Sequence, residues 1–316
     1  MGETPAIEIE NLTKSYGNLL AVNGLNIKVD RKQVHGFLGP NGAGKTTTIK
    51  MLVGLLKPNY GSLKILGLDG IKDNTRIRKR VGYMPELPRF PKHLSGEELL
   101  NVYGLMCGMS RDERRKKIPE LIKMVGLQGR GKDRISKYSK GMQQRIGIAQ
   151  SLLGDPELVI LDEPSMGLDP VGMVEVRDLV KQIVKTGKTV FFSSHLLAEV
   201  QQICDHVTVI NKGQELYSGP IGEISKKVKT KKRLVVTVLT PTKLITESLQ
   251  SLPYAKVELR GNVYTIEINS HEDVRPEISL TITSARGVIL EMREEGGGLE
   301  DIFLKLVGKD GFNHGK

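Results

Sequence analysis

Gly39-Pro40-Asn41-Gly42-Ala43-Gly44-Lys45-Thr46 is the stretch on which the rest of the chain is read. A short apolar run, Val34 to Leu38, precedes it in the manner of a buried strand, and a helical stretch, Thr46 to Leu56, follows. Strand, glycine-rich turn and helix in that order make a phosphate-binding loop. Asn41, Gly42 and Gly44 let backbone amides converge on phosphate oxygens, and the N-terminal end of the helix adds a favourable dipole. Lys45 is placed to reach β and γ phosphates, Thr46 to ligate magnesium, and Thr47 to cap the α-phosphate side. A glycine turn that merely preceded a helix would have no reason to carry lysine and threonine in register. The loop implies ATP or another nucleoside triphosphate, held with Mg2+.

Such a loop needs an acid delivered close to the phosphates. Glu157-Leu158-Val159-Ile160-Leu161-Asp162-Glu163-Pro164 ends four apolar residues with two carboxylates. Asp162 would hold magnesium through water. Glu163, next in line and so pointing elsewhere, is placed to polarise the attacking water as general base. Alone, the segment is equally a strand ended by solvated acids; beside the phosphate loop it reads as a Walker B strand.

Alternating apolar residues in Ile7-Glu8-Ile9-Glu10 and Leu25-Asn26-Ile27-Lys28-Val29 predict an opening antiparallel strand pair. From about Arg76 to Gln150 the chain is rich in helix formers and basic residues, which reads as an inserted helical subdomain bounded at about 87–155. Strand-like runs return at Leu158 to Leu161, Thr189 to Ser193 and Val207 to Ile210, the pattern of a parallel sheet built from crossover units, and Asn211-Lys212-Gly213 marks a hairpin turn. Beyond about Lys226 the texture changes. A strand (Arg233 to Leu239), a helix from Pro241, a strand pair around Arg260-Gly261-Asn262, a helix (His271 to Arg286), a strand (Val288 to Met292) and a helix (Leu299 to Val307) predict a small open sheet with helices on one face. The β-branched run Ile278 to Thr283 could instead be extended.

The chain has 316 residues, 39% hydrophobic and 26% charged, an ordinary globular composition. No uninterrupted apolar stretch approaches the roughly 18 residues of a membrane-crossing helix, so any membrane role must come through a partner. Cys107 and Cys204 lie far apart and outside metal-ligand spacing, as spare thiols in a reducing compartment would. The formal charge of +11 fits nucleic acid, anionic lipid or an anionic ligand equally. Its densest run, Lys226, Lys227, Lys229, Lys231, Lys232 and Arg233, carries no interleaved aromatics and falls where a linker would be, so a solvated linker is the simpler reading.

Tyr138-Ser139-Lys140-Gly141-Met142-Gln143-Gln144-Arg145 lies shortly before Walker B and opens an apparent helix, with Ser139 as a natural N-cap. Read alone it is a capped helix. With its neighbours, the sequence here resembles the ABC ATPase family, in which a Ser-x-Gly-x-Gln signature closes on the γ phosphate held by the opposite subunit. The resemblance implies that Ser139, Gly141 and Gln143 form that second anion site in a homodimer. It also implies that Tyr16 stacks on adenine, although a tyrosine there could equally pack at a strand end. Ser165-Met166-Gly167-Leu168-Asp169 resembles the D-loop that couples the two sites, and His195 the switch histidine that contacts the γ phosphate and orients Glu163. One departure stands out: after Val81-Gly82-Tyr83-Met84-Pro85 the family places a glutamine that senses magnesium and water and links to the permease, and this chain has Glu86. Glu86 can still ligate magnesium or its water and is kept as the coupling residue, though it cannot donate a hydrogen bond when ionised.

The resemblance covers about residues 5 to 222. It implies an α/β fold, a P-loop NTPase ABC ATPase domain over 1–225 with a mixed sheet, a helical subdomain and an antiparallel β subdomain, followed by a small α+β accessory domain over 226–316. The Pro85-Glu86 variant, the Ser-Lys-Gly-Met signature and the ending Leu299-Glu300-Asp301-Ile302-Phe303 look like the ATPases of type-2 exporters. The function implied is ATP hydrolysis powering a separate transmembrane permease from the cytoplasmic face of the membrane, with no nucleic acid expected. The alternatives are a non-transport ABC ATPase acting on nucleic acid or ribosomes, which usually carries coiled-coil insertions or paired cassettes absent here, and a phosphoryl transferase using the same loop.

Overall fold

A computed structural model of the chain describes residues 3–224, 232–268 and 273–295. The basic residues Lys226, Lys227, Lys229 and Lys231, residues 271 and 272 of the expected His271 to Arg286 helix, and the helix expected over Leu299 to Val307 lie outside the described residues. Two compact units are present, one running through Ile221 and one beginning at Gly222.

In the first unit, β1 (Ile7–Tyr16) and β2 (Leu19–Val29) pair antiparallel, with Ile7 opposite Val29 and Ile9 opposite Ile27. The alternation seen in the sequence buries Ile7 and Ile9 on one face. Two further strands, β4 (Tyr60–Ile65) and β5 (Leu68–Asp69), extend this sheet in the order β2-β1-β4-β5. They escaped the sequence reading because β4 is half exposed and opens Tyr60-Gly61-Ser62, which carries little apolar pattern.

The central sheet has six strands in the order β10-β9-β3-β8-β7-β6. They are β3 (Val34–Leu38), β6 (Val81–Met84), β7 (Leu158–Asp162), β8 (Thr189–Ser194), β9 (His206–Asn211) and β10 (Gln214–Pro220). All neighbours run parallel except β9 and β10. Strands β3, β7 and β8 are buried along their whole length, which is why they read as continuous apolar runs rather than alternating ones. The β9–β10 turn has left-handed backbone at both Lys212 (φ 48) and Gly213 (φ 77), the geometry that a two-residue hairpin requires. Phe37 and Phe191, 5.1 Å between centroids, join Ile7, Leu25, Ile49 and Ile160 in one core cluster tying the two sheets to the phosphate-loop helix.

That helix, α1, spans Lys45–Leu52 and stops short of the expected Leu56. Gly54 turns left-handed (φ 68), and the amides of Leu55 and Leu56 fold back onto the Lys50 carbonyl, a glycine stop that overrides the apolar content of the next residues. The stretch after it holds a five-residue helix, α2 (Asn74–Arg78), and then returns to the sheet as β6. Three helices follow, α3 (Gly96–Met106), α4 (Arg111–Met124) and α5 (Lys140–Ser151), the first two started by full capping boxes at Ser95/Glu98 and Ser110/Glu113. After β7 come α6 (Pro170–Lys185) and, after β8, α7 (Leu197–Ile203).

The second unit runs β11 (Lys232–Val238), α8 (Lys243–Gln250), β12 (Ala255–Arg260), β13 (Val263–Ile268), α9 (Arg275–Ser284) and β14 (Ile289–Glu295). Its sheet order, β12-β13-β11-β14 with every pair antiparallel, is the split βαβ arrangement. The run Ile278 to Thr283 is helical, because Ile278 and Ile282 sit one turn apart and both bury against Leu234, Val236 and Tyr264.

Phe191 is fully buried in the middle of β8. Phe191→Ala should destabilise the protein by about 3–5 kcal/mol, read as a lowered midpoint in urea denaturation of the first unit.

Candidate functional site

The phosphate loop is shaped by glycine. Gly44 (φ 105) precedes α1, and a Cβ there would lie 2.5 Å from the Ala21 carbonyl, so only glycine lets the loop enter the helix against β2. Lys45, the first residue of α1, is buried, and its ammonium donates to the carbonyls of Gly39 (2.7 Å) and Pro40 (3.2 Å). It also forms a buried ion pair with Glu163, Nζ to Oε1 at 3.1 Å, a contact of charge rather than an aligned hydrogen bond.

Glu163 follows β7 with left-handed backbone (φ 48), an uncommon state for a residue with a side chain. Its amide donates to Ser193 Oγ (2.9 Å), its carbonyl accepts from the Met166 amide (3.0 Å), and its Oε2 lies 2.8 Å from His195 Nδ1. Burial by itself would raise the Glu163 pKa, but the His195 hydrogen bond and the charges of Lys45 and His195 outweigh it and hold the carboxyl below its ordinary range. The same hydrogen bond to Glu163 raises His195 against the opposing effect of burial.

Asp162, at the end of β7, drifts the other way. Burial raises it first, the neighbouring charges of Glu163 and Glu86 add to that, and the hydroxyls of Ser193 and Thr46 only partly offset them. Its Oδ1 accepts from Ser193 Oγ (2.7 Å), while Oδ2 is buried and has no hydrogen-bond partner among the described residues. A buried, unpartnered carboxylate oxygen beside the Thr46 hydroxyl fits a small cation with oxygen ligands such as Mg2+. Among the described residues no group of three or more His, Cys, Asp and Glu side chains could hold a metal alone, so such an ion would also need oxygens from phosphate. Glu86 lies close enough for its charge to act on both Asp162 and Tyr83, whose hydroxyl is pushed up to about 12 by burial and then by those two carboxylates.

A second group of residues forms around the N-terminus of α5. Ser139 caps the helix, accepting from the Met142 amide (3.2 Å), and Gln143 Nε2 donates to the Tyr138 carbonyl (3.1 Å). A Cβ added at Gly141 would come within van der Waals range of Leu168, and the Lys140 ammonium lies over Gly167, so this turn sits beside residues 165–169 of the same chain. Asp169 caps α6 by accepting from the Gly172 amide (2.8 Å). Among the described residues none of Ser139, Gly141, Gln143 and Asp169 is bonded to Lys45, Asp162, Glu163 or His195. The structure thus gathers Lys45, Thr46, Asp162, Glu163 and His195, and leaves the signature residues as a separate group. Tyr16 ends β1 with its ring half exposed and Lys14 Nζ 5.7 Å above the centroid. Asn41 is exposed, and Gly42 is left-handed (φ 79) at the loop tip.

Two participants were missed in the sequence. Ser193 is wholly buried and bonded to the Asp162 carboxylate and the Glu163 amide, and Gln144, also buried, donates across to the Glu86 carbonyl at 3.5 Å. The signal for Ser193 was present: two serines ending the otherwise apolar strand Thr189 to Ser194 need a buried polar partner.

The family pattern described as "ABC transporter" matches residues 22–166. The bacitracin transport ATP-binding protein BcrA of Bacillus licheniformis is 37% identical over 303 residues, covering 96% of this chain and 97% of that protein. The linearmycin resistance ATP-binding protein LnrL of Bacillus subtilis is 31% identical, covering 96% and 98%. Among solved structures, one described as the ATP binding subunit of an ABC transporter superposes with a TM-score of 0.64 at 29% identity, over 71% of this chain and 93% of that one. The fold is also that of a dimeric ATP-binding cassette solved in a post-hydrolysis state with ADP and Pi, TM-score 0.62 at 24% identity, over 68% and 98%.

The raised His195 pKa gives a direct test. By NMR, His195 should titrate above its ordinary value of 6.5, and Glu163→Gln should bring it down. The paired imidazolium stabilises the fold fully below the unfolded value and ceases to do so as pH rises through the folded one.

Proposed function

Because the chain belongs to the ABC transporter family of ATP-binding proteins, and therefore hydrolyses ATP in the service of a transmembrane partner, we propose how its residues divide that work. The observation that carries the reading is the buried chain Lys45–Glu163–His195, at 3.1 and 2.8 Å, under the phosphate loop. Charge this concentrated in a dry site is arranged around something that also carries charge, and the loop amides and α1 N-terminus fit a triphosphate.

In this reading, binding of ATP supplies phosphate oxygens that compete with Glu163 and the Gly39 and Pro40 carbonyls for the Lys45 ammonium. Released from that pair, Glu163 accepts the proton of the attacking water, with the His195 hydrogen bond still favouring its ionised form. His195 holds the carboxylate in line through Nδ1 and presents the rest of its ring to the γ phosphate. Thr46 and Asp162 Oδ2 would hold Mg2+, which when bound neutralises charge on the β and γ phosphates. Tyr16 offers a half-exposed ring to adenine. Ser139, Gly141, Gln143 and Asp169 are assigned to the nucleotide of a second copy, since they form an anion site with no partner in the Lys45 cluster. Nucleotide and dimer are then thermodynamically linked. These activities are assigned to an ATPase domain over 1–225, with 226–316 as its accessory.

We propose that the transmembrane partner docks at a cavity of about 730 Å3 lined by Leu55, Ile77, Tyr83, Met106, Cys107 and Leu153. Leu55 and Met106 are 62% and 76% exposed at its rim, and its wall includes β6, the strand that leads to Glu86 and so to Asp162. No helix among the described residues is long and apolar enough to cross a membrane. An exporter type is supported by relatives named for bacitracin transport and linearmycin resistance, and we propose that the chain works from the cytoplasmic face. A nucleic-acid role lacks support: the face of the second unit's sheet turned away from its helices carries charged partners such as Arg233–Glu267 (2.9 Å), and among the described residues it holds no aromatic on which a base could stack.

Glu163→Gln should lower kcat by about 10²–10⁴-fold while ATP still binds and a nucleotide-bound dimer accumulates on size exclusion; parent-like hydrolysis would remove Glu163 as the base. Leu55→Glu with Met106→Glu should abolish co-purification with the membrane partner while the isolated ATPase rate stays within about twofold of the parent.

A further inference from the structure

Ser193 faces Asp162 in the parallel register of β7 and β8, and no part of it reaches solvent. Its hydroxyl lies 2.9 Å from the Glu163 amide and 2.7 Å from Asp162 Oδ1. The direction of both bonds follows from chemistry. A backbone N–H can only donate and an ionised carboxylate only accept, so the hydroxyl spends its one proton on Asp162 and takes the Glu163 N–H on its lone pair.

Each bond does something the reaction needs. The first holds the peptide that leads into the left-handed backbone of Glu163 (φ 48), a conformation that persists only where surrounding contacts over-determine it. Without that anchor the Glu163 backbone would relax and carry its carboxylate out of line with Lys45 and His195. The second occupies Oδ1 of Asp162 and so leaves Oδ2, buried and without a hydrogen-bond partner among the described residues, as the oxygen open to a cation. An alanine at this place would strand a buried amide and a buried carboxylate oxygen together.

We propose that Ser193 is a positioning residue for ATP hydrolysis, a single buried hydroxyl that aims the Glu163 carboxylate and selects which oxygen of Asp162 receives the cation. The inference rests on the reading of Glu163 as general base and Asp162 as cation ligand. It touches neither the loop nor Lys45, so ATP binding should be spared.

The test compares Ser193→Ala, Ser193→Thr and Glu163→Gln in the full-length protein, with ATPase kinetics, thermal melting, and Mn2+ binding followed by electron paramagnetic resonance in the presence of ATP. Ser193→Ala should lower kcat by about 10–100-fold and weaken Mn2+ binding by a similar factor, with KM for ATP within about twofold of the parent. Ser193→Thr, which keeps the hydroxyl on a residue that suits a strand, should recover most of both. Ser193→Ala with parent kcat and parent Mn2+ affinity overturns the proposal, as does a folded Ser193→Thr no better than Ser193→Ala. Glu163→Gln separates the premises: if it hydrolyses like the parent the base reading falls, and the Mn2+ measurement still decides whether Ser193 orients Asp162.

Discussion

The Lys45 ammonium and the Glu163 carboxylate meet in the dry interior of the first unit, and the surrounding elements act to hold that pair in place. Burying two charges costs several kcal/mol each before their attraction is counted. What offsets it here is saturation: two loop carbonyls on the ammonium, a histidine on the carboxylate, and a serine on the peptide that carries it. Strands β3, β7 and β8 bring these groups to one end of the sheet because all three run parallel and end at the same edge. The fully buried strands are therefore the scaffold for a polar centre.

The same arrangement explains why two neighbouring acids behave differently. Asp162 has hydroxyls but no cation beside it, so burial dominates and raises it. Glu163 has Lys45 and His195, and the same burial is overcome. One residue of separation along the chain, with a left-handed backbone between them, places one carboxylate in a field that disfavours its charge and the other in a field that favours it. Opposite drift in adjacent acids marks separate roles more firmly than either shift alone.

Much of this was legible in the sequence where composition and spacing are local. The phosphate loop, the apolar runs of β3 and β7, the Ser139 cap and the β9–β10 turn each carry their signal within a few residues. What was not legible depends on partners far away in the chain. Ser193 and Asp162 are strand neighbours only once β7 and β8 have paired, and the Lys45–Glu163 contact joins a helix start to a strand end. The half-exposed β4 had no periodicity to show, and Gly54 ended α1 against an apolar sequence that promised another turn. For the second unit the order of elements was readable, whereas its split βαβ topology needed the pairings of β11 with both β13 and β14.

The separation of the signature turn from the Lys45 cluster constrains how the chain can work. The Ser139 cap and the Asp169 cap are both saturated by their own helices, so each helix N-terminus is preformed and its remaining amides are fixed in direction before any ligand arrives. Preformed donors lose little entropy when an anion reaches them, which favours a site that engages late and lets go cleanly. The Lys45 cluster is built on the opposite plan, with its charges satisfied by one another at rest and in need of rearrangement when phosphate enters. On the proposed reading, the Lys45 cluster would bind by exchange of partners and the signature turn by simple docking. In that reading, a cycle that first captures ATP and then closes on it needs both, and the Lys140 ammonium beside Gly167 brings the signature turn next to the segment that follows Glu163.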